Sequence, residues 1–335
     1  MAKQVPQSGG RSAASKSNAT SNATTTQRTS ANAGPAKTPQ AKMPQTKGAS
    51  SQLSRGAARR RSAKQPWWRQ NMPIIITLVS VVLIVGVFVL IARQTTSSGG
   101  GGIGDPVPTD VLNAVTKPDP AIFAKVGTGG LNSPMIHVAG DPLKGANGKP
   151  EIFYFGAEYC PYCAAERWSL IMAMSRFGEY KDLRLMKSGS APEAFPETNT
   201  FTFQHSTYTS QYVDWASVET ADRNGQTLQT PTSDQLALVN KYDAPPYTDQ
   251  TGSIPFVSYG TQYITIGAGF QNSSIQDLTW QEIASKLSNP DDPVTKNIVG
   301  NANYLTAAIC QSTNNEPASV CQAAPIPDIQ KQINK

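Results

Sequence analysis

Two thiols three residues apart, Cys160 and Cys163, enclose Pro161 and Tyr162. They follow an apolar run, Ile152-Phe153-Tyr154-Phe155, and open a helix-like stretch through Ala164-Ala165-Glu166-Arg167-Trp168-Ser169-Leu170. On the first turn of a helix, positions i and i+3 share a face, so the two sulfurs can bridge. The first thiol also sits where unpaired backbone N–H groups and the helix dipole favour negative charge, which lowers its pKa. The chemistry this permits is the making and breaking of disulfides. Cys160, exposed and low in pKa, is expected to attack a substrate disulfide, and the more buried Cys163 to resolve the mixed disulfide. Pro161 stiffens the turn where no needed hydrogen bond is lost.

The elements around the pair follow from hydrophobic pattern. Met135–Val138 reads as a short strand, and Glu151–Phe155 as a nearly continuous apolar strand of the kind buried on both faces. The cysteine helix is expected to run to about Gly178, with Leu183–Met186 the next strand, ahead of a polar loop. Thr200–Phe203 and Gln211–Val218 are β-like by aromatic and β-branched content, and Gln235–Tyr242 reads as a short helix. Ile254–Tyr259 and Gln262–Ile266 form a hairpin across Gly260-Thr261, and helices follow near Leu278–Leu287 and Thr295–Cys310. Strand, helix, strand, hairpin, helix is an α/β order with a mixed sheet flanked by helices.

Charge divides the chain of 335 residues. Residues 1–71 carry thirteen Lys or Arg and no Asp or Glu, whereas residues 94–335 carry 15 basic against 23 acidic residues. The overall +6 is therefore an average of a basic tail and an acidic body, and an acidic body argues against a nucleic-acid partner. Met72–Ala92 holds 21 residues without a charge, enough to span a hydrocarbon core of roughly 30 Å. Trp67 and Trp68 precede it at interfacial depth. A secretory signal is the competing reading, but its basic region would be too long and no small-residue cleavage site follows.

These features predict a disordered basic cytoplasmic tail over 1–71, a transmembrane helix over 72–92, a flexible linker over 93–104 and an extracytoplasmic domain over 105–335. Arg55, Arg59, Arg60, Arg61, Lys64 and Arg69 crowd the N-terminal flank of the span, and only Arg93 follows it. The positive-inside rule then places the N-terminus in the cytoplasm and the body outside, on a single-pass anchor in the cell membrane. There disulfides persist, and four cysteines can make two bridges. Cys310 and Cys321 are separated by ten residues that include Asn314-Asn315 and Pro317, a turn-rich stretch that can fold back into a structural disulfide. A second redox relay exchanging with Cys160 is the alternative. Neither metal nor cofactor is expected. The cysteine pairs are too unlike for a zinc ribbon, and His137 and His205 read as packed or surface residues rather than copper ligands.

The segment Phe155-Gly156-Ala157-Glu158-Tyr159-Cys160-Pro161-Tyr162-Cys163 resembles the active-site segment of the thioredoxin superfamily, with the Pro-Tyr dipeptide common in glutaredoxins. That resemblance implies a thioredoxin-like fold with a cis-proline opposite the cysteines, at the start of the hairpin, and Ile254-Pro255 matches that position. A longer stretch, from Gly156 to Trp168 and then Ser175-Arg176-Phe177-Gly178, is similar to the thioredoxin-like family catalogued as domain of unknown function 929. Tyr208–Tyr212 and Ala302–Cys310 fit the same pattern. One departure concerns the proton. Thioredoxins carry a buried acid six residues before the first cysteine, and Tyr154 stands there instead. Glu158 or Glu166 could substitute, although a solvated Glu near a helix start is the commoner role. Arg167 and Trp168 are expected to pack the cysteine helix on the sheet.

The leading expectation is a membrane-anchored thiol–disulfide oxidoreductase of protein disulfide oxidase or isomerase type. Its partners would be protein thiols and disulfides and a redox partner protein in or at the membrane. A non-catalytic binding module with a structural Cys160–Cys163 bridge, or a metallochaperone using the same thiolates, are the alternatives.

Overall fold

A computed structural model describes residues 102–334. The basic tail, the Met72–Ala92 span and most of the linker lie outside the described residues. Among the described residues, no helix is long and apolar enough to cross a membrane.

The chain opens with two short helices, α1 (Thr109–Thr116) and α2 (Ala121–Val126), and a two-residue strand, β1 (Ile136–His137). β2 (Glu151–Gly156) leads into the cysteine helix α3 (Pro161–Met174). Four short strands come next: β3 (Gly178–Lys181), β4 (Arg184–Lys187), β5 (Asn199–Thr202) and β6 (Thr207–Ser210). β7 (Asp214–Glu219) and α4 (Ser233–Tyr242) precede the hairpin of β8 (Phe256–Tyr259) and β9 (Tyr263–Ile266). The C-terminal part is helical, with α5 (Trp280–Lys286), the long α6 (Pro293–Ser312), α7 (Ala318–Cys321) and α8 (Ile326–Ile333).

Five strands form the main sheet in the order β1-β9-β8-β2-β7. β2 runs parallel to β7, with Tyr154 opposite Ser217, and antiparallel to β8, with Tyr154 opposite Val257. The sheet is therefore mixed. β2 is covered on both faces: Ile152 and Tyr154 enter the large core shared with α3 and α6, and Phe153 enters a smaller one with Val218, Val239 and Phe256. That two-sided burial is why its sequence is apolar without alternation. Every residue of α3 except Tyr162 is buried, because the helix lies between the sheet and α6.

Several elements differ from their sequence-based expectation. α3 stops at Met174, where Phe177 N–H turns back to the Met174 carbonyl, so that Gly178 can begin β3. The strand near Leu183–Met186 pairs with β5 in a separate hairpin, and the place beside β2 belongs to β7. β6 pairs with β3 in another two-stranded sheet, so the segment between α3 and β7 is an insertion rather than a simple crossover. Where the described residues begin, Gly104 N–H donates to Leu185 O at 2.8 Å, and Leu185 N–H to Asp105 O at 2.9 Å. Helices α1, α2, α7 and α8 are additional to the expected elements, and each has a proline at the N-cap and no side-chain cap to mark its start.

Cys310, at the end of α6, is bonded to Cys321 of α7 with Cα atoms 5.6 Å apart. The closed loop is short, and constraining it in the unfolded chain stabilises by roughly 2–3 kcal/mol. Replacing both cysteines with alanine is expected to lower unfolding free energy by about that amount in non-reducing urea titrations, without altering chemistry at Cys160.

Candidate active site

Cys160 is the N-cap of α3, in extended conformation, with Pro161 at the first helical position. Its sulfur accepts a hydrogen bond from Cys163 N–H at 3.2 Å, the satisfaction of an otherwise orphaned helix-start donor. The Ile254–Pro255 peptide is cis, and the Ile254 carbonyl accepts from the Cys160 thiol at 3.6 Å. β2, α3 and the start of β8 thus bring Cys160, Cys163, Pro161, Ile254 and Pro255 together. Both cysteines carry free thiols.

The loop is held from several sides. Glu158 N–H donates to Ala221 O at 2.9 Å, and Gly189 N–H to Tyr159 O at 2.7 Å. Asn272 Nδ2 donates to the Pro161 carbonyl at 2.6 Å. Arg167 Nη2 reaches the Ala157 carbonyl at 2.8 Å. Tyr162 projects outward, its ring edge-on to Phe195 at 6.0 Å. Beside it, a cleft of about 390 Å³ is lined by Tyr159, Ser190, Pro192, Glu193 and Arg223.

The two thiols are chemically unlike. The hydrogen bond from Cys163 lowers the Cys160 pKa below its ordinary value, helped by the backbone N–H groups of Cys163 and Tyr162 and by the charge of Arg167, against the opposing effect of burial. Burial pushes the Cys163 thiol well up, and its hydrogen bond to Cys160 adds to that. One correction concerns access: Cys160 is only 4% exposed rather than open to solvent. The Ile254 carbonyl faces its sulfur and adds to that cover.

The acids also differ from expectation. Neither Glu158 nor Glu166 is a solvated helix-start residue; both are buried. Glu158 accepts the Thr202 hydroxyl, and burial raises its pKa. Glu166 points toward α6, where its Oε2 accepts from Asn301 Nδ2 at 2.8 Å and Gly269 N–H at 3.1 Å, leaving Oε1 without a partner. Burial raises its pKa from 4.5 to about 7. Between these values the unfolded chain ionises and the folded one does not, so stability falls as pH rises from 4.5 to about 7. The loss is ~3 kcal/mol, with no further change from this group above that range. Glu166→Gln is expected to flatten this slope in denaturation curves at pH 5 and 8, making the variant the more stable at the higher pH.

Sequence reasoning missed the charge pair beneath the thiols. Arg167 is bidentate on Glu219 of β7, with Nε to Oε1 at 3.0 Å and Nη2 to Oε2 at 2.7 Å, both side chains fully buried. Trp168 packs on β5 of the insertion rather than on the main sheet, its ring edge-on to Phe201 at 4.5 Å and its indole N–H donating to the Asn199 carbonyl at 3.0 Å. His137 and His205 are exposed and stand in different elements from the thiols. Among the described residues, no three His, Cys, Asp or Glu side chains gather as a metal ligand set.

Fold and site together define a mixed α/β domain in which a dithiol caps a central helix against a cis-proline wall. The chain belongs to the family catalogued as domain of unknown function 929, whose sequence profile matches residues 138–311. That span runs from just after β1 nearly to the end of α6 and includes Cys160, Cys163, Pro255 and Cys310, but not Cys321. No curated protein and no solved structure matches the chain.

Proposed function

We propose that this protein is a membrane-anchored, extracytoplasmic thiol–disulfide oxidoreductase of thioredoxin-like fold, acting on protein thiols and disulfides through Cys160 and Cys163. The observation that carries the reading is the asymmetry of the dithiol. Cys160 accepts the helix-start N–H of Cys163 and is held below its ordinary pKa, while Cys163 is fully buried and held above. A bridge that only staples two segments needs no such difference, whereas exchange needs an attacking thiolate and a resolving thiol. The strand–cysteine–helix order and the cis Ile254–Pro255 bond support the thioredoxin-like assignment.

The anchor and its orientation rest on the uncharged Met72–Ala92 run and the basic residues before it. In that compartment an oxidase or isomerase needs no electrons carried across the membrane, and a membrane-associated redox protein would recharge the pair. The test is oxidative refolding of a reduced, disulfide-containing polypeptide in a glutathione buffer with full-length protein. Faster recovery of native disulfides with wild type than with Cys160→Ala supports the proposal. Equal rates, together with a Cys160–Cys163 bridge inert to small thiols, would leave a scaffold.

A further inference from the structure

Tyr154 stands on β2 directly beneath the site, and it is fully buried. Its ring packs edge-on to Phe203 at 4.9 Å, under the Arg167 guanidinium at 5.7 Å. Its hydroxyl has no hydrogen-bond partner of good geometry, and neither does Arg167 Nη1. Leaving buried donors unmade is costly unless another state of the molecule uses them. Gly156 shows where the hydroxyl is aimed. A Cβ placed there would lie 2.3 Å from the Tyr154 oxygen and 2.9 Å from Cys163 Sγ, so both atoms crowd one point that only glycine leaves free. The phenol therefore abuts the second sulfur of the pair.

We propose that Tyr154 is the hydrogen-bond donor that receives the Cys163 thiolate when the Cys160–Cys163 disulfide opens. The inference rests on the dithiol reading above and adds a residue to it. In the opening step an incoming thiolate attacks Cys160 Sγ. A sulfur–sulfur bond forms to Cys160, the Cys160–Cys163 bond breaks, and its electron pair leaves on Cys163, which solvent then protonates. In closure Cys163 first gives that proton back to solvent, and its thiolate attacks Cys160 Sγ; the Cys160–Cys163 bond forms, the bond to the bound sulfur breaks, and the electron pair leaves on that sulfur as a thiolate, so the same donor serves both directions.

The groups facing Cys163 make this a donor's task rather than a base's. Cys160 and Arg167 come from α3, Glu219 from β7 and Tyr154 from β2. Arg167 is largely committed to Glu219, so its charge is partly cancelled at the sulfur. Burial pushes the phenol well above its ordinary pKa, so it keeps its proton at any pH where the exchange runs.

The test oxidises the full chain to the Cys160–Cys163 disulfide and follows its opening by dithiothreitol across pH. Tyr154→Phe keeps the ring and removes the donor. It is expected to slow opening roughly 10- to 100-fold, the worth of one hydrogen bond to a charged group, with the Cys160 thiolate titration unchanged and the melting temperature no lower. Phe203→Leu loosens the same aromatic cluster without touching the hydroxyl and is expected to leave the rate at the wild-type value. Tyr154→Phe opening at the wild-type rate overturns the proposal, as does equal slowing in Phe203→Leu, which would assign the effect to packing. Dithiothreitol opening requires no polypeptide substrate. A failure of the oxidoreductase reading shows separately, as wild-type protein that exchanges with dithiothreitol but not with polypeptide disulfides.

Discussion

Cys160→Ser is expected to reduce disulfide exchange with polypeptide substrates to the uncatalysed background, while Cys163→Ser retains the first chemical step and loses the second. A hydroxyl in the N-cap position still accepts the Cys163 N–H, so α3 keeps its cap and stability changes by less than about 1 kcal/mol. What disappears is the thiolate. In the wild type the Cys163 hydrogen bond, the helix-start N–H groups and Arg167 all favour ionised Cys160. Reaction with a small alkylating probe should therefore rise with pH along a titration lying below that of an ordinary cysteine thiol, and level off above it. Stopped-flow alkylation of the Cys163→Ser variant reads this curve for Cys160 alone. Cys163→Ala, which removes the side-chain donor that a serine hydroxyl would keep, should move the midpoint above that of Cys163→Ser.

The second large effect is on stability. Arg167→Met leaves the Glu219 carboxylate fully buried without its cation, and breaking one partner of such a pair costs about 3–5 kcal/mol. For a domain of this size that corresponds to a fall in melting temperature on the order of 10 °C. Converting both partners, as Arg167→Met with Glu219→Leu, is expected to recover most of the loss, because two apolar side chains need no solvation in that space. Both variants should shift the Cys160 titration upward, since each removes the guanidinium that favours its thiolate. Calorimetry and thiol titration therefore separate the structural from the electrostatic contribution of one residue.

How far the sequence carried these conclusions depended on the range of each signal. The cysteine helix, β2 and the β8–β9 hairpin rest on local patterns: an apolar run, a proline-led helix start and a Gly-Thr turn. The Arg167–Glu219 pair joins residues 52 positions apart, and nothing local marks such a partnership. A signal for their burial did exist. α3 reads PYCAAERWSLIMAM, with Glu166 and Arg167 as its only charges and no polar stripe, the pattern of a helix surrounded by protein. Reading Glu166 as solvated gave the usual role of a helix-start acid more weight than that pattern. The β4–β5 and β3–β6 pairings escaped because strands of four residues pairing within an insertion carry the same propensity as strands of the main sheet. Tyr154 was legible as a substitution for an acid, but its approach to Cys163 depends on Gly156 across a strand end and needed coordinates.

The central claim is that Cys160 attacks and Cys163 resolves. The most direct measurement incubates full-length Cys163→Ser protein with a disulfide-containing peptide and maps adducts by mass spectrometry. A stoichiometric mixed disulfide on Cys160, absent from the Cys160→Ser/Cys163→Ser protein and released by added thiol, is the predicted result. No adduct on Cys160, under conditions where an unfolded cysteine peptide reacts, would contradict it.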